Sequence, residues 1–226
     1  MTPRSTDELI ASLAAETAPV VPIRPVRVLA ILLLAAAALF ALCMMLGDTR
    51  PDMADAAARP IFWWKMGAFG LPALVASGGV ALALRPEAEL GPLWRAIGAL
   101  AVLGLAAGVA LSPGVAAGLV ERVWRPEAWN CLRSVLGMGL PMAALCALLL
   151  SRGAPTRPVE AARMAGLAAG GWAAAVFALA CPVDDPLYTL TWFTVSVGLV
   201  ALVATLAVPP LLRASWRRGA LSAIRR

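Results

Sequence analysis

VLAILLLAAAALFALCMML, residues 28–46, is a run of 19 residues without one charged side chain. A helix of that length reaches ~28 Å, close to the ~30 Å of hydrocarbon in a bilayer. Five further apolar stretches follow, at about Ile61–Leu84, Leu93–Leu111, Cys131–Leu150, Ala161–Ala180 and Leu187–Leu211. Together they explain why 61% of the 226 residues are hydrophobic and 14% charged, where a soluble domain has about 45–50% and 25%. The expected fold is all-α, a polytopic membrane bundle of six transmembrane helices. That excludes soluble enzymes, nucleic-acid-binding domains and disulfide-stapled secreted domains.

The chain divides into residues 1–27, a six-helix domain over 28–212 and a basic tail over 213–226. In the first part, Asp7, Glu8 and Glu16 stand where a signal peptide would be basic. Ser5-Thr6-Asp7-Glu8 fits a capping box, and Leu9, Ile10 and Leu13 then fall on one side of a short helix. Pro19, Pro22 and Pro25 predict a stiff connector to the first span, and Pro209-Pro210 predict the end of the sixth. With the N-terminus inside, 13 of the 19 basic residues fall on the cytoplasmic side. The positive-inside rule then places both termini in the cytoplasm. The basic tail suits anionic membrane lipid.

No His is present, which removes the commonest general base and metal ligand. No nucleophile–base pair or phosphate-cradling glycine loop appears either, so the chain reads as no enzyme, with no cofactor. Four cysteines remain. The topology sets Cys131 and Cys181 at the periplasmic boundary, where two thiols on one face suit a disulfide. With Asp184 or Asp185 they suit a soft metal ion instead. The plainer alternative is that all four thiols are small, buried and inert, and Cys43 and Cys146 are read that way. Lys65, near the start of a span, is expected to snorkel to the outer headgroups.

Several motifs in fixed order resemble one family. They are Asp7-Glu8-Leu9-Ile10 with Leu13; Arg50-Pro51-Asp52; Phe62-Trp63-Trp64-Lys65; Arg152-Gly153-Ala154-Pro155-Thr156-Arg157-Pro158; and Cys181-Pro182-Val183-Asp184-Asp185-Pro186 running on to Trp192. In this order they resemble the NrsF-type negative regulators of extracytoplasmic-function (ECF) sigma factors. The resemblance implies a membrane anti-sigma factor that holds an ECF sigma factor at the inner membrane until a periplasmic redox or heavy-metal stress arrives. Its partners would be that sigma factor and membrane lipid, with no direct contact to nucleic acid. Asp7, Glu8, Leu9, Ile10 and Leu13 would bind the sigma factor, and Cys131 and Cys181 would sense the signal. One departure is Ala180, where members often carry His before the second cysteine, which favours thiol chemistry over a site built on imidazole. The rival reading is a small six-helix transporter or exporter, opposed by the lack of buried charge chains and paired broken helices.

Overall fold

A computed structural model describes residues 5–8, 10–11, 24–45, 50–85, 87–112, 118–153 and 155–224. Six long helices dominate: α1 (Pro25–Met45), α3 (Pro60–Leu82), α4 (Gly91–Ala110), α6 (Ala128–Ser151), α7 (Pro158–Phe177) and α8 (Pro186–Ile224). Two single-turn helices, α2 (Met53–Ala57) and α5 (Leu119–Val123), lie in the connections. Among the described residues there is no strand. Five of the long helices carry proline at their first or second position, namely Pro25, Pro60, Pro92, Pro158 and Pro186. Proline costs little there, because the first N–H groups of a helix have no partner inside it.

Five helices are long and apolar enough to cross a membrane: α1, α3, α4, α6 and α8. The expected fifth span, α7, is a 20-residue helix in the predicted place, yet it falls short of that apolarity. Its composition explains the difference. It is made largely of Ala and Gly and sits at the centre of the bundle, packed against α1, α3, α6 and α8, with 13 of its residues buried. A helix that faces other helices needs small residues for close approach more than it needs apolar bulk for lipid. A Cβ on Gly166 would collide with the Cα of Ala201, and one on Gly171 would stand 2.8 Å from the Cβ of Ala73. Helix α4, by contrast, lies at the periphery, and Gly108 is its one buried residue.

Two boundaries differ from the sequence expectation. Pro25 opens α1 instead of belonging to a connector. Helix α8 runs through Pro209 and Pro210 and takes the basic segment with it as far as Ile224. Proline inside a helix forfeits a backbone bond, but within a bundle neighbouring groups compensate, and the break does not follow.

At the N-terminus the capping box forms. The Ser5 amide donates to Glu8 Oε2 and the Glu8 amide to Ser5 Oγ, both at 3.2 Å. Residues 6–8, 10 and 11 are helical, and Asp7, Glu8 and Ile10 are exposed. Leu9 and Leu13 lie outside the described residues.

The connections around residues 50–59, 111–112, 118–127 and 178–185 gather at one end of the bundle. Trp63, Trp124 and Trp129 stand exposed there, as an aromatic belt would. At the opposite end the Trp216 indole donates to the carbonyl of Gly153, tying α8 to the connection between α6 and α7. The core beneath the gathered loops holds Phe69, Cys131, Val135, Cys181, Tyr188 and Phe193.

Candidate functional site

Seven residues, Cys181 to Leu187, turn the chain from α7 into α8. Two prolines limit the backbone of this turn, and its polar groups are held by cations from other elements. Lys65, projecting from the second turn of α3, is fully buried. Its ammonium donates to the carbonyls of Cys181 (3.2 Å) and Val183 (2.7 Å) and to Asp184 Oδ1 (3.2 Å). An ammonium has three donors, so all are used. The expected snorkelling therefore does not occur. The carbonyls of the turn and Asp184 replace water as its hydration shell.

Arg50 closes the turn from the other side. Its side chain is buried and reaches Asp184 at 2.7 and 3.0 Å and Asp52 at 2.7 and 2.8 Å, forking onto both carboxylates. Its backbone amide donates to the carbonyl of Leu179. Arg59 adds a contact of 3.0 Å to each carboxylate. Asp184 thus faces Arg50, Arg59 and Lys65. Burial pushes the Asp184 carboxyl up, but the Arg50 hydrogen bond and the nearby Lys65 charge more than offset it, and the net direction is down. The Arg50 hydrogen bond holds Asp52 at about 2, and the same bonds push Arg50 above its usual value.

Asp185 has a separate task. It accepts from Arg122 Nε at 2.7 Å and Nη2 at 3.1 Å, and Arg122 also reaches Ser112 Oγ at 2.7 Å. Asp185 Oδ1 takes the amides of Leu187 (2.9 Å) and Tyr188 (3.4 Å) as well, which caps α8. Burial raises this carboxyl, and the Arg122 hydrogen bond with the two amides outweighs it, so it too ends low.

Behind this shell lie the two predicted sensing thiols. Cys131, one turn into α6, and Cys181, heading the turn, share one buried cluster with Tyr188, and neither is in a disulfide. Burial pushes the Cys181 thiol up, and the Lys65 charge offsets only part of it. A thiol whose titration is pushed up is a weaker nucleophile and a weaker ligand at neutral pH. The structure brings Cys131, Cys181, Asp184 and Asp185 to one end of the bundle. Among the described residues no group of three or more Cys, Asp or Glu is arranged to hold a metal ion. Asp184 and Asp185 are instead engaged with Arg50, Arg59, Lys65 and Arg122. Cys146 is buried deeper, in the core of the opposite half.

Sequence reasoning missed that Arg50 and Lys65 belong to this site. The signal available was pairing by sign. The single Lys and the Arg50-Pro51-Asp52 loop sit on the same predicted face as the adjacent carboxylates Asp184 and Asp185.

Residues 13–214 match the family NrsF, described as negative regulator of sigma F. The anti-sigma-F factor NrsF of Caulobacter vibrioides is 34% identical over 219 residues, covering 92% of this chain and 99% of that protein. The probable anti-sigma-F factor NrsF of Azospira oryzae is 30% identical over 215 residues, with the same two coverages. No solved structure matches the chain.

Proposed function

The chain belongs to the NrsF family, and on that premise we propose that it is a six-span inner-membrane anti-sigma factor with both termini in the cytoplasm. It sequesters an ECF sigma factor through the acidic N-terminal helix, with Asp7, Glu8, Leu9, Ile10 and Leu13 as the contact set. A short helix with an apolar side suits a groove in a partner, and its carboxylates suit the basic surfaces of a DNA-binding protein. Cys131 and Cys181 read a periplasmic redox or heavy-metal stress, and the sigma factor is released in response.

The observation that carries the sensing role is the burial of both thiols in one cluster beneath a turn held by Lys65 and Arg50. A signal shifts such an equilibrium only by its different affinity for the two states. Joining the thiols, or coordinating them, favours an arrangement in which the turn has left its cations. Replacing either cysteine by Ser, with a sigma-dependent reporter read under stress, tests this. Loss of induction while the protein accumulates normally is expected. Full induction in the Cys131→Ser, Cys181→Ser double variant would return both residues to packing.

A further inference from the structure

Cys181 and Lys65 meet at one acceptor. The carbonyl of Val183 takes the Lys65 ammonium at 2.7 Å and the Cys181 thiol at 3.9 Å. Nitrogen and sulfur therefore stand no further apart than those two distances laid end to end. The same ammonium holds the backbone carbonyl of Cys181 at 3.2 Å. Lys65 is fully buried and Cys181 is 2% exposed, so water screens little of any charge between them.

A thiol donates, whereas a thiolate only accepts. While protonated, Cys181 shares the Val183 carbonyl with Lys65. Once ionised it no longer needs that carbonyl and becomes an acceptor beside an ammonium. A neighbouring cation favours the thiolate. Burial pushes Cys181 up, and of the groups that oppose this Lys65 is the largest; Arg50 acts with it and Asp184 against it. Cys131 from α6 and Tyr188 from α8 complete the surroundings. The ion-pair cluster joins three cations, Arg50, half-exposed Arg59 and Lys65, to two carboxylates, Asp52 and Asp184. It carries one positive charge in excess, which a thiolate would balance.

We propose that Lys65 is the counter-ion of a Cys181 thiolate: as Sγ gives its proton to water, one hydrogen bond of the ammonium passes from the Val183 carbonyl to Sγ. The ammonium keeps all three hydrogens throughout. This rests on the reading of Cys181 as a sensing thiol, and it names the group that readies that thiol for a soft cation. Val183 loses a donor in the exchange, so ionising the thiol loosens the turn that covers it. Lys65 is thus a positioning residue for both the turn and the thiol.

Lys65 is the only lysine in the chain, so isotope-labelled lysine gives one side-chain nitrogen signal from the full chain in phospholipid nanodiscs. That Nζ resonance is followed as pH rises, together with the S–H infrared band that Cys181→Ser removes. The expected result is an Nζ step at the pH where the band is lost, matching within about half a unit, and no step at that pH in Cys181→Ser. Lys65→Met should raise the pH of band loss by at least ~1 unit, a tenfold change in the ionisation equilibrium. Band loss without an Nζ step overturns the proposal, as does the same step in Cys181→Ser. So does a band that persists over the whole pH range in which the chain stays folded, or a Lys65→Met protein that titrates with the unmodified one. The Nζ measurement leaves Lys65 in place, so it decides even where Lys65→Met does not fold. Neither stress nor sigma-factor release is read, so failure here is separate from failure of the sensor reading, which the cysteine variants test by induction.

Discussion

Arg50 and Asp184, 134 positions apart in sequence, meet through two hydrogen bonds of 2.7 and 3.0 Å, with the Arg50 side chain only 2% exposed. Without Asp184, Arg50 keeps Asp52, but the buried Lys65 loses the carboxylate it is paired with, and stranding a buried charge costs about 3 kcal/mol or more. For a protein of this size that is a fall of roughly 6–12 °C in melting temperature. Asp184→Asn should show it in detergent, by loss of a monodisperse peak on heating. Asp52→Asn should cost less, since that carboxylate is 40% exposed.

Acid should act through the same groups. Asp52, Asp184 and Asp185 are all held below the ordinary carboxylate range. A depressed folded-state value means the stabilisation is complete above the unfolded carboxylate's titration, near 3.9. It is then lost as pH falls through the folded values, which for Asp52 is about 2. The expected result is a melting temperature insensitive to these three groups at neutral pH and falling steadily below about pH 4. The Asp184→Asn protein should fall less steeply over the same window.

Packing around α7 should tolerate no added carbon at its tightest contact. Gly166→Ala places a methyl against the backbone of Ala201, and overpacking of this kind costs about 1–3 kcal/mol. Gly67→Ala on α3, where a Cβ meets nothing within 4 Å, should be neutral or stabilising by up to ~1 kcal/mol. Thermal unfolding of the two variants side by side measures the contrast.

The N-terminal helix is testable by function. Replacing Leu9 and Leu13 by Asp should switch on the sigma-dependent reporter without stress, because each buried anchor is worth about 1.5–3 kcal/mol. Binding should weaken at least tenfold, since ~1.4 kcal/mol is one decade. Continued repression by a normally accumulating variant would move the docking surface elsewhere, for instance to the Arg152–Arg163 connection.

Topology has its own check. Alkaline phosphatase fused after Arg226 should be inactive, and the same enzyme inserted near Asp52 should be active. The reverse pattern would invert every assignment of inner and outer face.

Local features were legible in the sequence, and distant ones were not. The capping box of Ser5 and Glu8 involves residues three apart and forms as read. Helix positions were set by apolar length and hold to within a few residues, except that α8 runs on to Ile224. Lys65 was read as reaching for headgroups because its partners, Cys181, Val183 and Asp184, lie 116–119 positions away and no periodicity points to them. Pro209-Pro210 was read as a stop by the rule for helices in water, whereas α8 continues with the bundle beside it. Helix α7 stands where the fifth apolar stretch was expected, but it is less apolar than the other five long helices. A helix enclosed by other helices is selected for small side chains, and hydropathy then understates it.

Helix α8 begins at the Asp185 cap and runs 39 residues, which at 1.5 Å per residue makes a rod of ~58 Å. The hydrocarbon layer takes only ~30 Å of that, so close to half the rod would stand clear of the membrane on the far side. A rod pivoted near one end is a lever. Tilting it by about 5° sweeps the far end through roughly 5 Å over that length, about the width of one helical turn. Pro209 and Pro210 come ~35 Å along, close to where the rod would leave the hydrocarbon, and neither donates a backbone hydrogen bond. A small loosening of Asp185 from Arg122 would thus arrive on the opposite side magnified, along a shaft that passes through Pro209 and Pro210.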